Sequence, residues 1–129
     1  MTYKEKLDKF TILIPIFNLE RDGNRLDNFK YILNKVLESR CNILVVEQVL
    51  NKDEDTISKQ ICKNLNVDYH PVEVNDTCIH KSKLINVGTD RIQTEFVWVN
   101  DSDCYIKFKK AIRQIGNKNT AFADMLKNL

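Results

Sequence analysis

Glycine is scarce in this chain, with three residues in 129. Neither Gly-x-Gly-x-x-Gly nor Gly-x-x-x-x-Gly-Lys-[Ser/Thr] is present. That argues against the Gly-rich dinucleotide fingerprint and against a P-loop NTPase. Gly-x-Ser-x-Gly is also absent, so no nucleophile-elbow hydrolase is indicated. No apolar run approaches the ~20 residues that span a bilayer, and no transmembrane helix is expected. The first nine residues are charged and polar, unlike a secretory leader. The four cysteines, Cys41, Cys62, Cys78 and Cys104, form no Cys-x-x-Cys pair. Free thiols in a reducing cytoplasm are expected rather than disulfides or a zinc site. A charge excess is missing too. Lys and Arg number 20, Asp and Glu 18, for a net charge of +2, so general nucleic-acid binding is not implied.

What is present suits one globular domain over residues 1–129. Apolar residues make up 43% and charged residues 29%, ordinary for a soluble core-forming chain. Residues 11–17 are a β-branched, apolar run around Pro15 and read as a first strand. Residues 18–24 read as a loop. From Arg25, the apolar positions Leu26, Phe29, Leu33, Val36 and Leu37 share one helical face. Residues 42–47 read as a second strand, apolar at the successive positions Ile43 to Val46, the mark of a strand covered on both sides, as in parallel sheets. A charged turn at 51–55 precedes a helix marked by Ile57, Ile61 and Leu65. Residues 68–74 read as a third strand, and Pro71 points to a sheet edge. A helix over 81–92 turns Leu84, Ile85, Gly88 and Ile92 inward, with Gly88 allowing close packing on the sheet. Residues 96–99 form the fourth strand. Beyond it lie a basic helical segment at 109–115, a turn at 116–119 and a short helix at 120–129. The order β-α-β-α-β-α-β argues for an open, Rossmann-like α/β sheet, mostly parallel and flanked by helices, with right-handed crossovers.

In such sheets ligands bind beyond the carboxyl ends of the strands. There the fourth strand runs straight into Asp101-Ser102-Asp103. Two carboxylates two residues apart offer hard oxygen ligands suited to Mn2+ or Mg2+, with diphosphate oxygens completing the shell. A lone Asp-x-Asp is also a common polar turn. Its place after a β-α-β-α-β-α-β series is what gives it weight. Arg21 and Arg25 follow the first strand, and Arg25 opens a helix on the ligand edge, where its planar fork suits a phosphate. Lys81 and Lys83 open the third helix, whose amino end also favours anions. Each of these cations alone is most simply a solvated charge. His80 is a ligand candidate or a satisfied polar residue. Glu47 and Gln48, ending the second strand, either read a base edge or cap the strand.

Several ordered pieces resemble glycosyltransferases of the GT-A fold, in particular the donor-binding, amino-terminal half of the β-1,4-galactosyltransferase type and its relatives in glycosyltransferase family 2. Thr11-Ile-Leu-Ile-Pro-Ile16 resembles the first strand with its proline. Arg25-Leu-Asp-Asn-Phe29 resembles the arginine-bearing start of the first helix. Ile43-Leu-Val-Val-Glu-Gln48 resembles the second strand. Lys81-Ser-Lys-Leu-Ile-Asn-Val-Gly88, the most specific piece, is similar to Arg-Ala-Lys-Leu-Leu-Asn-Val-Gly in the family. Asn100-Asp-Ser-Asp103 falls where the Asp-x-Asp belongs. The resemblance spans residues 10–115. It implies a metal-dependent hexosyltransferase with a UDP-sugar donor. Pro15, Ile16 and Phe17 would lie beside the uridine, with Arg21 or Arg25 on the nucleotide. Ile79 stands where the family has an aromatic residue against the base. Lys81 replaces the family arginine, and Lys83 and Asn86 match as they stand. Asp101 and Ser102 would lie near the ribose or metal, and Asp103 would be the direct metal ligand, with Asp101 as its companion.

Set against that resemblance, a reduced acceptor side is expected. Family members continue past the Asp-x-Asp with a Trp- and Gly-rich acidic motif and a catalytic carboxylate. From Cys104 to Leu129 this chain has one acidic residue, Asp124, and no His or Trp. Asp124 is therefore the one candidate base in that segment for activating the hydroxyl of a glycan or other acceptor. Three readings stay open: a minimal glycosyltransferase, a donor-binding half completed by a second chain or copy, or a non-catalytic module that retains the fold. An uncovered sheet edge would invite dimerisation.

Overall fold

The computed structural model describes residues 2–21, 23–104 and 110–111, with no account of the Arg21 side chain. Asp124 and most of the basic segment and terminal helix expected near the carboxyl end lie outside the described residues. Four strands form one sheet in the order β3-β2-β1-β4: β1 (Phe10–Phe17), β2 (Asn42–Val49), β3 (Asp68–Glu73) and β4 (Phe96–Val99). All three pairings are parallel. Helices α2 (Gly23–Glu38), α3 (Ile57–Asn64) and α4 (Lys81–Arg91) make the crossovers. This is the open α/β sheet that the alternating pattern indicates.

Alternation along β1 and β2 divides the interior into two layers. Ile12, Ile14 and Ile16 of β1, with Ile43 and Val45 of β2, pack with Phe29, Leu33 and Val36 of α2 and Cys62 of α3. On the opposite face, Leu13, Leu44 and Val46 pack with Leu84 of α4. A strand buried on both faces needs apolar residues at successive positions, which is why residues 12–14 and 43–46 show no polar alternation. Gly88 is where α4 meets the sheet most closely. A methyl added there would lie 2.6 Å from Leu13 Cδ1 and 2.9 Å from Val46 Cγ2.

Both prolines stand where no ladder bond is lost. Pro71 lies on the edge strand β3. Pro15 lies on an inner strand, but the Leu13 carbonyl takes the final bond on the β4 side from Asn100 N at 2.9 Å. Two residues further, the Pro15 nitrogen faces the same side, beyond the end of β4.

The element ends depart from the sequence pattern in instructive ways. A short helix α1 (Tyr3–Leu7) precedes β1, capped by the Thr2 hydroxyl accepting from Glu5 N at 3.2 Å. Its charged sequence hides this; Leu7 is buried in the core and Tyr3 packs against it. Within the expected loop at 18–24, Leu19–Arg21 form a 3-10 turn and Leu19 is fully buried. Helix α2 starts at Gly23 rather than Arg25, and β2 continues to Val49. Among the described residues, no helix is long and apolar enough to cross a membrane. All four cysteines are free thiols.

Candidate functional site

The strand order turns at β1: β2 and β3 lie on one side, β4 on the other. The flanking crossover helices α2 and α4 cover opposite faces of the sheet, and the crevice between them at its carboxyl edge is the usual ligand position in open α/β sheets. A cavity of about 310 Å³ opens there. From β1 come Pro15, Ile16 and Phe17; from α2, Arg25 and Asn28. The start of α4 and the residue two before it supply Lys81 and Ile79, and the turn after β4 supplies Asp101, Ser102 and Asp103. Nine of the candidates named from sequence thus share one cavity. Asn28 is the residue that motif reasoning missed, although it lies one helical turn beyond Arg25.

Local bonds hold this arrangement. Asn18 takes a left-handed turn (φ 51°) directly after β1, a conformation that Asn tolerates better than most residues. Arg25 Nη2 then donates to the Phe17 carbonyl at 3.1 Å, which fixes the guanidinium at the cavity wall. After β4, buried Asn100 braces the acidic turn. Its Nδ2 donates to the carbonyls of Asp101 (2.9 Å) and Cys104 (3.0 Å). Its Oδ1 is buried without a partner among the described residues.

The charges are arranged for an anion and a cation side by side. Lys81 Nζ bonds Asp101 Oδ1. No side chain caps the amino end of α4, where Lys81 is the first residue, so its orphan N–H groups favour an anion beside the ammonium. Asp101, Asp103 and Cys104 place one ligand atom each within 4.8 Å of one another. Two carboxylates fit Mn2+ or Mg2+, and the softer thiol alongside is an additional donor. Local desolvation, then the Asp103 and Asp101 carboxylates, push the pKa of the exposed Cys104 thiol up. His80 is occupied: its Nε2 lies 2.6 Å from Asp76 Oδ2, and this contact chiefly draws the Asp76 carboxyl down.

Glu47 and Gln48 occupy opposite faces of β2 and serve different elements. Glu47 Oε1 accepts from Thr56 Oγ1 and Tyr69 OH, both at 2.5 Å. Burial raises its pKa, and the two hydroxyls partly offset that. Gln48 Nε2 donates to the Cys78 carbonyl at 2.8 Å, and its Oε1 accepts from His80 N at 2.7 Å. Both side chains are buried. Both border a larger cavity of about 700 Å³ with Glu20, Glu54, Asp55 and Asp76 on its walls. Phe17 lines both cavities. Lys83 and Asn86 lie apart from the Asp101–Asp103 turn, on a more open cavity of about 670 Å³ that also touches Ile79 and Lys81.

The sheet, its crossovers and the crevice define a Rossmann-like GT-A glycosyltransferase fold. Among solved structures, the chain is similar to Staphylococcus aureus TarS, with a TM-score of 0.63 and 22% identity over 86% of this chain and 20% of TarS. The TarS fragment 1–349 in complex with UDP-GlcNAc gives a TM-score of 0.61 and 20% identity, over 86% of this chain and 32% of that one. The chain thus spans between a fifth and a third of the structures it matches. No family model and no curated protein matches it.

Proposed function

We propose that the chain binds a UDP-sugar together with Mn2+ or Mg2+ and serves hexosyl transfer to a glycan or other hydroxyl acceptor. The observation that carries this reading is the crevice between β1 and β4, which gathers Arg25, Lys81, Asp101 and Asp103 in one cavity. The similarity to a protein solved with UDP-GlcNAc supports it. The diphosphate would lie against Lys81 and the open amino end of α4. Arg25, held by the Phe17 carbonyl, would bind a phosphate or base carbonyl. Ile79 would pack on the base as an aliphatic wall. Asp101 and Asp103 would hold the metal, which as a Lewis acid offsets charge on the leaving diphosphate.

Titration with UDP, with and without Mn2+, tests this. The expected result is tighter UDP binding in the presence of Mn2+ and loss of that enhancement in Asp103→Ala. UDP binding that ignores both the metal and the substitution would sink it.

A second reading is favoured by the composition after the acidic turn, where Asp124 is the single carboxylate. In that reading the chain supplies the donor half, and a partner chain or second copy supplies the acceptor side. Asp124→Asn separates the two. Sugar transfer by the chain alone, lost in Asp124→Asn, supports a self-sufficient transferase. Donor binding without transfer supports the half-site. The motif likeness favours a galactosyltransferase-type donor and the TarS complex a GlcNAc donor, so both UDP-sugars belong in the assay.

A further inference from the structure

We infer that Gln48 is a positioning residue of the donor site, clamping the two peptide groups that flank Ile79 and so aiming Ile79 and Lys81 into the crevice. The inference rests on the donor-site reading above. Gln48 leaves β2 on the α4 side of the sheet and is 2% exposed. Its amide behaves like one more peptide of a ladder. It donates to the Cys78 carbonyl and accepts from His80 N–H, at 2.8 and 2.7 Å, across sequence separations of 30 and 32 residues. These bonds hold the peptides before and after Ile79.

The loop has few alternatives. Among the described residues, the other hydrogen bonds made by the backbone of this segment stay local. Asp76 N bonds Val74 O, Cys78 N bonds Asp76 Oδ1, and Leu84 N bonds His80 O. The His80 side chain also bonds within the loop, to Asp76. His80 provides no side-chain cap for α4, and the bond from its N–H to Gln48 ties the amino-terminal boundary residue of that helix to the sheet. Lys81 is the next residue, and its ammonium reaches the acidic turn. Only a primary amide of this length serves both ends. Glutamate loses the donor, and methionine of similar length loses both bonds and leaves buried polar groups unpaired.

The test compares wild type and Gln48→Met by calorimetry with UDP plus Mn2+ and with Mn2+ alone, and follows the His80 amide by NMR exchange in wild type. The expected result is UDP binding weakened about tenfold. Mn2+ binding should not weaken by more than about threefold, because Asp101 and Asp103 follow β4 and do not belong to this loop. The wild-type His80 amide should exchange slowly, and more slowly still with UDP. Unchanged UDP affinity overturns the inference, as does an equal loss of UDP and Mn2+ affinity, which marks a merely structural role. If Gln48→Met does not fold, the wild-type amide decides: protection that deepens with UDP supports the clamp, and exchange as rapid as at exposed loop amides overturns it. Failure of wild type to bind UDP at all removes the donor-site reading itself, and is seen before any variant is made.

Discussion

At the scale of single residues, Lys81 is the point where the anion and the cation of the site compete. It lies on Asp101 and at the amino end of α4. A metal entering at Asp101 and Asp103 meets a carboxylate already paired with an ammonium. A diphosphate arriving with the metal gives that ammonium a new partner. Removing it should therefore act with opposite signs on the two ligands. Lys81→Met is expected to weaken UDP binding about tenfold, the scale of one lost charge-assisted phosphate contact. Mn2+ alone should bind more tightly, though by no more than about fivefold. Both partners are 46% exposed, and an ion pair so solvated is worth at most ~1 kcal/mol. Manganese paramagnetic resonance and UDP calorimetry on the same variant check this. A loss of both affinities would show that Lys81 supports the acidic turn rather than competing with metal for it.

At the scale of elements, two buried positions decide how α3 and α4 sit on the sheet. Gly88 is the contact between α4 and the Leu13–Val46 surface. A Cβ there cannot fit without moving two fully buried side chains. Gly88→Ala is expected to cost about 1–3 kcal/mol despite the better helix propensity of alanine, because overpacking outweighs a gain of ~1 kcal/mol. A thermal or urea melt reads this, and a melting point at or above wild type would contradict the close approach. Glu47 anchors the start of α3 through the Thr56 hydroxyl and ties it to β3 through Tyr69. Its pKa is raised above the ordinary 4.5, chiefly by burial. The folded state then holds its proton to higher pH than the unfolded state does. Stability from this group is fully present below pH 4.5 and is lost as pH rises through the raised folded value. Glu47→Gln keeps an oxygen acceptor for both hydroxyls and carries no charge. The expected result is a flatter stability profile above pH 4.5, with the variant gaining on wild type toward neutral pH. An unchanged slope would assign that pH dependence elsewhere. The sequence made these elements legible unevenly. Runs such as Ile43 to Val46 declare a strand covered on both faces, and Gly88 inside an amphipathic helix declares a close approach. Helix α1 was hidden, because its two core contacts, Tyr3 and Leu7, sit among charges. The role of Gln48 was hidden because its partners are backbone atoms 30 and 32 residues away.

At the scale of the whole molecule, the candidate site was legible because order along the chain maps onto the carboxyl edge of the sheet. Pro15 to Phe17, Lys81 and Asp101 to Asp103 are far apart in sequence. The β3-β2-β1-β4 order brings them to one crevice. What motif order could not give is side-chain direction: Arg25 and Asn28 face the crevice, while Lys83 and Asn86 line the neighbouring cavity. Among the described residues, both apolar layers are built from residues between Tyr3 and Val99, with Ala111 packing against the first of them. The described lining of the donor crevice lies between Pro15 and Asp103. A chain ending at Ala111 is expected to fold and to bind UDP with Mn2+ within about threefold of the full 129 residues, while losing any transfer that depends on Asp124. Such a shift is below ~1 kcal/mol. Calorimetry on the two chains, with a melt of each, checks it. If the shortened chain folds but loses UDP, residues 112–129 contribute to the donor pocket itself, and the division into a donor half and an acceptor half fails.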